Sequence, residues 1–445
     1  MMAVVLALDA GGPIGGEVSD ATDGRPGLTL PTDPAVPVAS AAPGAAHVMW
    51  TRKLADIVPG TNHWLSQIVT DGDTWLVRVI VDGAGPVGGG SFIVPLDART
   101  GDSLVETPDA ALPEDAYCAE SLVGGMLACG WSDAVRFIDP RTGEADATAP
   151  ARVPGLEIYG VEVVEGRVVA VGLSGFAPEV VALDVDGTVA WRSMVELEGC
   201  SPARPEYSAS VVLAGGDLRV GLAGYQFVLD SSDGSVLVRA CGQAAYAPSG
   251  AMAVAGVEDV EPLPPPTYVG ADGTVHPIVH VGQAVQVVAM SGADDEYVAV
   301  LTDEHRLRLV HLLTGIELWE REWQYGRVQA WDDERIYLSG RHGLSALSPT
   351  TGEMVWTWSG EPGMAVRTAL LVEDSGLVAA TSSGVSGLAP ATGEELWTVR
   401  DPELAGWYWL PPAQARTPGA VRVALLLVGV DRDKVSRLDL LPHQS

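Results

Sequence analysis

The chain has 445 residues, of which 58 are acidic and 26 are Lys or Arg, giving a formal net charge of −32. A chain of this length exceeds one compact core and is therefore multi-domain or modular. Such acidity argues against nucleic-acid backbones and anionic lipid as partners, while 47% hydrophobic residues suffice for a large folded core. The near absence of Lys and Asn is typical of high-GC genomes, such as those of actinobacteria.

The N-terminal region divides into two short segments ahead of the folded body. Residues 1–8, MMAVVLAL, are apolar without a basic start and too short to cross a bilayer. We interpret them as the remnant of a signal or anchor segment whose start lies upstream. Residues 9–45 are rich in Gly, Pro, Ala and Asp and are predicted to be a flexible linker. Residues 46–445 are expected to form one domain.

The four cysteines fall into two neighbouring pairs. Cys118 and Cys129 flank a predicted hairpin that turns near Gly124, while Cys200 and Cys241 bracket one repeat unit. Neither pair has the Cys-x-x-Cys spacing of a zinc or redox site. We treat both pairs as candidate disulfides, which would imply an oxidising compartment. Four buried free thiols are the alternative.

A Thr-Gly or Asp-Gly pair recurs about every 40 residues after a strand-like run. The glycines are Gly101, Gly143, Gly187, Gly234, Gly273, Gly315, Gly352 and Gly393. In several copies a tryptophan follows four residues later, at Trp191, Trp319, Trp356 and Trp397. The regular spacing indicates a structural unit that is repeated along the chain.

Each repeat has the features of two β-hairpins. A strand ends at Leu-Asp or Leu-Ser, the glycine makes a turn with positive φ, and the next strand carries its Trp on a buried face. Upstream, runs such as GVEVVEGRVVAVGL supply a second hairpin, with its turn at Glu165-Gly166. One unit is therefore four short antiparallel strands, and the chain is predicted to be all-β.

Four-stranded units at this period are typical of a β-propeller, a ring in which every sheet buries its faces. Residues 47–54, HVMWTRKL, have the Trp-Thr of a fourth strand without three strands before it, while residues 405–441 offer three more strands. We therefore predict that an N-terminal strand closes the ring. The motifs count to nine units, but the unit at 242–280 contains EPLPPP, which is unfavourable in strands. We predict an eight-bladed propeller of four-stranded antiparallel blades, with seven or nine as alternatives.

The pattern Leu-Asp-x-x-Thr-Gly-x-x-x-Trp resembles the repeat of pyrroloquinoline-quinone-like propellers. Its best copies are residues 347–356, 388–397 and 312–319, and the resemblance extends over 46–441. The family includes quinone-dependent alcohol dehydrogenases, the propeller lipoprotein of the outer-membrane β-barrel assembly machine, and exported actinobacterial proteins. It implies that the tryptophans dock neighbouring blades, a role we expect for the four repeat tryptophans, Trp191, Trp319, Trp356 and Trp397.

Signals for catalysis are weak. Quinone dehydrogenases of this family hold their cofactor with a disulfide between adjacent cysteines and bind calcium through Glu, Asn and Asp. This chain lacks adjacent cysteines, and its single asparagine, Asn62, matches no such motif. His276 and His280 on one strand would lie about 13 Å apart, too far for a shared zinc ion. We expect no catalytic residues, cofactor or metal.

We therefore expect a monomeric, non-catalytic propeller outside the cytoplasm that binds a protein or another cell-envelope component. The expected membrane link is only through a missing or truncated N-terminal anchor. The aromatic cluster Trp407, Tyr408 and Trp409 is the candidate partner-binding site, with packing between blades as the alternative. Two other functions stay open: the sensor ectodomain of a membrane protein, and an enzyme that uses the propeller channel.

Overall fold

The computed structural model describes most of the chain between Ala46 and Leu440. The described residues are 46–440 without 59–60, 83–89, 107–110, 146–149, 196–208, 215, 223, 247–250, 256–266, 271–273, 279–283, 291–296, 303–305, 313, 323–326, 333, 341–342, 361–365, 373–375, 382–383, 401–422 and 429–433. The predicted anchor remnant and linker, 1–8 and 9–45, lie outside them. No helix in the described part is long and apolar enough to cross a membrane.

The described strands form nine antiparallel sheets, and the first four follow one another along the chain. Sheet 1 contains β2 (Thr61–Asp71), β3 (Thr74–Asp82), β4 (Gly90–Asp97) and β5 (Ala111–Leu112). Sheet 2 contains β6 (Tyr117–Val123), β7 (Met126–Trp131), β8 (Ala134–Ile138) and β9 (Ala151–Arg152). Sheet 3 contains β10 (Glu157–Val164), β11 (Arg167–Ser174), β12 (Ala177–Leu183) and β13 (Val189–Met194). Sheet 4 contains β14 (Ala209–Ala214), β15 (Asp217–Leu222), β16 (Tyr225–Asp230) and β17 (Val236–Cys241).

The next four sheets repeat the same order of strands. Sheet 5 contains β18 (Gln243–Tyr246), β19 (Met252–Ala255), β20 (Thr267–Val269) and β21 (Val275–Pro277). Sheet 6 contains β22 (Ala284–Met290), β23 (Tyr297–Thr302), β24 (Arg306–His311) and β25 (Glu317–Glu322). Sheet 7 contains β26 (Arg327–Trp331), β27 (Ile336–Gly340), β28 (Gly343–Leu347) and β29 (Met354–Trp358). Sheet 8 contains β30 (Val366–Val372), β31 (Gly376–Thr381), β32 (Gly384–Leu388) and β33 (Glu395–Val399).

The ninth sheet joins the two ends of the folded body. This closing sheet consists of β34 (Val423–Val428), β35 (Lys434–Leu440) and β1 (Ala46–Lys53), in the spatial order β1-β35-β34. β1 pairs antiparallel with β35, and a bulge lies between Val48 and Trp50. The short helix α1 (Leu54–Ile57) then leads into sheet 1. The N-terminal strand therefore lies at one edge of this three-stranded sheet, beside a C-terminal strand.

The turn between the third and fourth strands explains the recurring Asp and Gly. At the end of β4, Asp97 Oδ1 accepts hydrogen bonds from the backbone N–H groups of Arg99 and Thr100, each at 2.8 Å. Gly101 closes the turn at a φ of 71°, in the left-handed region that favours glycine, and its N–H donates to the Asp97 carbonyl. Because the Asp97 N–H also donates to the Asp102 carbonyl, residues 98–101 form a four-residue hairpin loop, which is a common connection length.

Neighbouring sheets pack face to face in chain order. The first strands, here called inner strands, contact their counterparts in the next sheet, as β6 does with β10 and β26 with β30. Sheet 8 contacts the closing sheet through β33 and β1, and the closing sheet contacts sheet 1 through β35 and β2. The contacts therefore lead from sheet to sheet and return to sheet 1, as in a β-propeller.

The described residues form nine sheets, whereas the sequence favours eight blades with seven or nine as alternatives. Sheet 5 lies in the proline-rich unit at 242–280, which the sequence predicts to be a degenerate blade or long loops. The prolines of EPLPPP, at residues 261–266, lie between β19 and β20 in the sequence rather than within either strand. Pro277 does belong to sheet 5, but it ends the edge strand β21, a position where proline is tolerated.

Sheet 5 is joined to sheet 4 by a buried arginine. Arg219 on β15 is fully buried, and its Nη2 and Nη1 donate to the carbonyls of Gly270 at 2.9 Å and Val269 at 3.4 Å. Both carbonyls lie at the end of the third strand of sheet 5. The fourth strand of sheet 4 carries no tryptophan. The guanidinium of Arg219 instead supplies hydrogen bonds between these two sheets.

The Arg219→Met variant should lower the free energy of unfolding by about 2–4 kcal/mol, because both carbonyls lose a charged donor in a buried place. Chemical denaturation measures the change. The matched control is Arg239→Met on β17, an exposed position where we expect a change within about 0.5 kcal/mol. Equal losses in the two variants would contradict the role assigned to Arg219.

Candidate functional site

Tryptophans of the fourth strands lie on glycines of the following sheet. Trp356 of sheet 7 packs over Gly393 of sheet 8, where a Cβ would come within 2.5 Å of the Trp356 Cε3 atom. The same arrangement places Trp319 over Gly352 at 2.6 Å and Trp191 over Gly234 at 2.4 Å. A side chain at any of these turn glycines would therefore overlap the indole ring, so glycine is required there for packing as well as for φ.

A hydrogen bond fixes each of these indoles. The Nε1–H group of Trp191 donates to Ser231 O at 3.1 Å, that of Trp319 to Pro349 O at 2.7 Å, and that of Trp356 to Pro390 O at 2.9 Å. In every case the accepting carbonyl lies three residues before the glycine. We call the glycine and this carbonyl together a tryptophan seat.

Trp50 on β1 packs in a seat of the same kind, although the sequence alone did not predict a docking role for it. It packs over Gly101 of sheet 1 at 2.5 Å from the position of a Cβ, and its Nε1–H donates to Ala98 O at 3.0 Å. The sequence signal was present, since Trp50-Thr51 was identified as the Trp-Thr of a fourth strand.

Trp397 differs from the other repeat tryptophans. It lies against Gly387 of its own sheet, where a Cβ would come within 2.1 Å of Cε2, and it is less completely buried than the others. The next sheet around is the closing sheet. β35 and β1 come from opposite ends of the body, and the described strands of this sheet contain no glycine on which Trp397 could pack.

The structure contains a disulfide between Cys118 on β6 and Cys129 on β7. These residues face each other in the ladder, because the Gly-Gly turn brings the two strands back side by side. The second candidate pair falls outside the described part: Cys200 is not described, nor is the side chain of Cys241. The predicted aromatic cluster, Trp407, Tyr408 and Trp409, also lies outside the described residues.

Polar side chains of the inner strands bridge neighbouring sheets. Gln67 on β2 donates from Nε2 to the carbonyls of Cys118 at 2.7 Å and Ala119 at 3.2 Å on β6. Gln329 on β26 accepts from the N–H of Ala369 on β30 at 3.0 Å. The spacing of the repeat does not predict these hydrogen bonds, because the partners of Gln67 and Gln329 belong to the next unit.

Glu162 on β10 is an inner-strand residue whose carboxyl group has a strongly raised pKa. Its Oε1 accepts from the N–H of Val163 at 2.9 Å, and its Oε2 accepts from the N–H of Glu120 on β6 at 3.4 Å. Burial raises the pKa of Glu162 to about 7, and the negative charge of Glu120 adds to the effect. The two carboxyl groups form the candidate site for proton transfer or ligand binding between sheets 2 and 3.

The aspartates of the turns accept hydrogen bonds from the turn backbone. Asp186 and Asp230 accept hydrogen bonds from the Thr188 and Ser232 groups two residues ahead, which holds the pKa of each carboxyl below its ordinary value. Within the described part of the chain, no three His, Cys, Asp or Glu side chains are grouped to hold a metal ion.

Replacing a seat glycine should cost more than replacing a turn glycine that faces open space. Gly352→Ala adds a methyl group against Trp319 at a φ of 67°, so we expect a loss of about 2–4 kcal/mol in unfolding free energy. Gly166→Ala is the control, since its φ is 79° but nothing lies near its Cβ position; its loss should be about 1–2 kcal/mol. Urea denaturation compares them, and equal losses would show that packing on the indole contributes nothing.

Glu162→Gln should change the pH dependence of stability. Because the folded pKa of about 7 lies above the value of 4.5 for an ordinary glutamate, wild-type stability falls as pH rises from about 4.5 to 7. The variant should lose this slope and be relatively more stable at pH 8, by on the order of 1–2 kcal/mol. Thermal unfolding at pH 5 and pH 8 measures it; parallel pH profiles for the two proteins would contradict the assignment.

Comparison with known proteins gives one family match. Residues 303–440 match the family model described as "Outer membrane protein assembly factor BamB". A search of curated proteins finds no match.

Solved structures show related folds. Quinohemoprotein alcohol dehydrogenase from Comamonas testosteroni is 11% identical, with a TM-score of 0.51 over 90% of this chain and 77% of that one. BamB from Moraxella catarrhalis is 14% identical, with a TM-score of 0.45 over 88% of this chain and 99% of that one. At such identities the likeness concerns the fold alone. Residues 303–440 are therefore similar to the family described as outer membrane protein assembly factor BamB, and the remainder of the chain shares a β-propeller type of fold with the quinohemoprotein dehydrogenase.

Proposed function

We propose that this protein is a non-catalytic scaffold that binds another protein outside the cytoplasm, and that its nine sheets are the blades of one closed ring. The order of contacts between sheets supports the ring, because it leads from sheet 1 through sheet 8 and the closing sheet back to sheet 1. The pairing of β1 with β35 supports closure by the N-terminal strand.

Exposed apolar side chains on the outer strands are the observation that carries the scaffold function. In sheets 6 to 8 these are Leu318, Met354, Val355 and Leu396; together with Ile316, which lies just before β25, we call them the outer-strand surface. Ile316 is 62% exposed and Val355 46%. Exposed apolar side chains on neighbouring fourth strands support a protein-binding surface, and a strand at the edge of its sheet can pair with a strand of a partner.

The outer-strand surface falls within residues 303–440, the part that matches the BamB family model. That family is described as an assembly factor for outer-membrane proteins, which supports a protein partner in the cell envelope. The Cys118–Cys129 disulfide supports the same location, since disulfides persist in oxidising compartments.

A photo-reactive amino acid at Val355 tests the proposal. In cells, we expect it to crosslink to a defined envelope protein, whereas the same group at Arg99, an exposed turn residue of sheet 1, should not. Met354→Ser with Val355→Ser should abolish the crosslink from a probe at Leu396 while changing unfolding free energy by no more than about 1 kcal/mol. Identical products from both positions, or none from Val355, would refute this binding surface.

An enzyme acting between the inner strands is the second candidate, favoured by the Glu120–Glu162 pair. A carboxyl group with a pKa near 7 can give and take a proton at neutral pH. The two functions are separable, because Glu162→Gln should leave the Val355 crosslink intact under the scaffold proposal. A substrate whose turnover disappears in Glu162→Gln would favour the enzyme instead.

A further inference from the structure

Acidic side chains lie among the exposed apolar side chains of the outer-strand surface. In sheets 6, 7 and 8 an exposed glutamate begins the fourth strand or directly precedes it, at Glu317, Glu353 and Glu394. An exposed apolar residue comes directly before the fourth-strand tryptophan, at Leu318, Val355 and Leu396. The three sheets therefore present the same two groups, a carboxylate and an apolar side chain, near the same end of the strand.

The tryptophan seats hold these groups of adjacent sheets next to one another. Trp319 of sheet 6 packs on Gly352, the residue before Glu353. Trp356 of sheet 7 packs on Gly393, the residue before the glutamate of sheet 8. Each fourth strand is thereby fixed against the turn that carries the next glutamate. Exposed apolar and acidic groups therefore follow one another from sheet 6 to sheet 8.

The negative charge of this surface is concentrated in sheets 7 and 8. In sheet 6 Glu317 and Glu320 form ion pairs with arginines of the adjacent strand β24. The fourth strands of sheets 7 and 8 with the turns before them, residues 350–358 and 391–400, contain three glutamates and one arginine, and all three glutamates are exposed. A partner that covers Val355 therefore meets carboxylates as well as apolar groups.

The fourth strands of sheets 3 and 4 are apolar as well but differ in charge. Val189 and Leu237 are exposed there. The residue after the turn glycine is uncharged in both sheets, and the charged residue of each fourth strand is an arginine, Arg192 or Arg239. A glutamate beside an exposed apolar residue is therefore a feature of the outer-strand surface that these two sheets do not share.

The negative charge disfavours two of the possible occupants of the surface. A second copy of this chain would bring like charges together, and the formal charge of −32 on each copy would add to the repulsion. An anionic lipid surface would be repelled in the same way. A partner with basic side chains is instead attracted by the glutamates, while its apolar side chains cover the exposed apolar groups.

We propose that the outer-strand surface binds a segment of another protein in which Lys or Arg alternates with apolar residues. The inference rests on the proposed scaffold function and adds the chemistry of the partner. Basic side chains of the segment pair with Glu353 and Glu394, and its apolar side chains pack on Val355 and Leu396. The charges favour fast association, and apolar burial slows dissociation.

Binding of labelled peptides to the purified protein tests this chemistry. One peptide alternates lysine with leucine, a second has glutamate in place of lysine, and a third has serine in place of leucine. By fluorescence anisotropy, we expect the lysine–leucine peptide to bind at least about fivefold more tightly than either other peptide, because only it offers both charge attraction and apolar contact. Equal binding of any two of these peptides would overturn the inference.

A pair of double variants separates local charge from net charge. Glu353→Gln with Glu394→Gln should weaken binding of the lysine–leucine peptide at least about fivefold. The control, Glu106→Gln with Glu144→Gln, removes the same charge from exposed positions outside this surface, and its effect should be less than about twofold. Glu144 matches Glu353 closely, because the N–H of each donates to a threonine hydroxyl two residues before it. The inference fails if the two double variants bind the peptide equally well.

Two further measurements keep this inference distinct from the scaffold function. Sedimentation equilibrium should give a monomer; a dimer that Met354→Ser with Val355→Ser disperses would show that a second copy covers the surface, and would overturn the partner proposed here. Photo-crosslinking from Val355 in cells reports on the scaffold function whatever charge the partner carries. A crosslink that keeps its full yield in Glu353→Gln with Glu394→Gln would leave the scaffold function in place and overturn only the basic character of the partner.

Discussion

Each four-stranded sheet of this protein has two apolar faces, and both must be covered by neighbouring sheets because alternate residues of a strand point to opposite sides. Flat apolar packing alone would let one sheet slide over the next. The tryptophan seat removes that freedom, since the indole ring fits over one glycine and its N–H reaches one carbonyl. The positive φ of the glycine and the hydrogen-bonded turn before it therefore serve the contact between sheets as much as the hairpin itself.

Not every interface uses tryptophan, but the turn glycine is approached closely in others as well. At Gly187 of sheet 3 the neighbouring atom is the Cβ of Ala151 from sheet 2, which lies 2.9 Å from the point that a Cβ on the glycine would occupy. Between sheets 4 and 5 the guanidinium of Arg219 adds hydrogen bonds to the packing of apolar side chains. The glycine contacts share one feature. The glycine leaves the backbone of the turn uncovered, and a side chain from the preceding sheet packs on it.

The closing sheet is built differently from the other eight. It pairs strands from the two ends of the body, so no hairpin turn connects β35 to β1. Pairing of β1 with β35 replaces the turn with a longer ladder, and Trp397 packs on Gly387 instead. The fold does not decide the function, because the same fold can support binding or catalysis. The outer strands offer a surface for binding, and the carboxyl groups of Glu120 and Glu162 offer a site for catalysis.

The sequence by itself determined the features that depend on neighbours along the chain. Turn glycines such as Gly352 follow from φ, the Cys118–Cys129 pair follows from a two-strand hairpin, and β1 is recognisable because Trp50-Thr51 lacks three strands before it. Only the tertiary structure decided the number of sheets, the place of Trp397, and the roles of Arg219 and Glu162. These depend on atoms in the next unit, such as the Gly270 carbonyl and the Glu120 amide, and no spacing within one repeat records what lies across the interface.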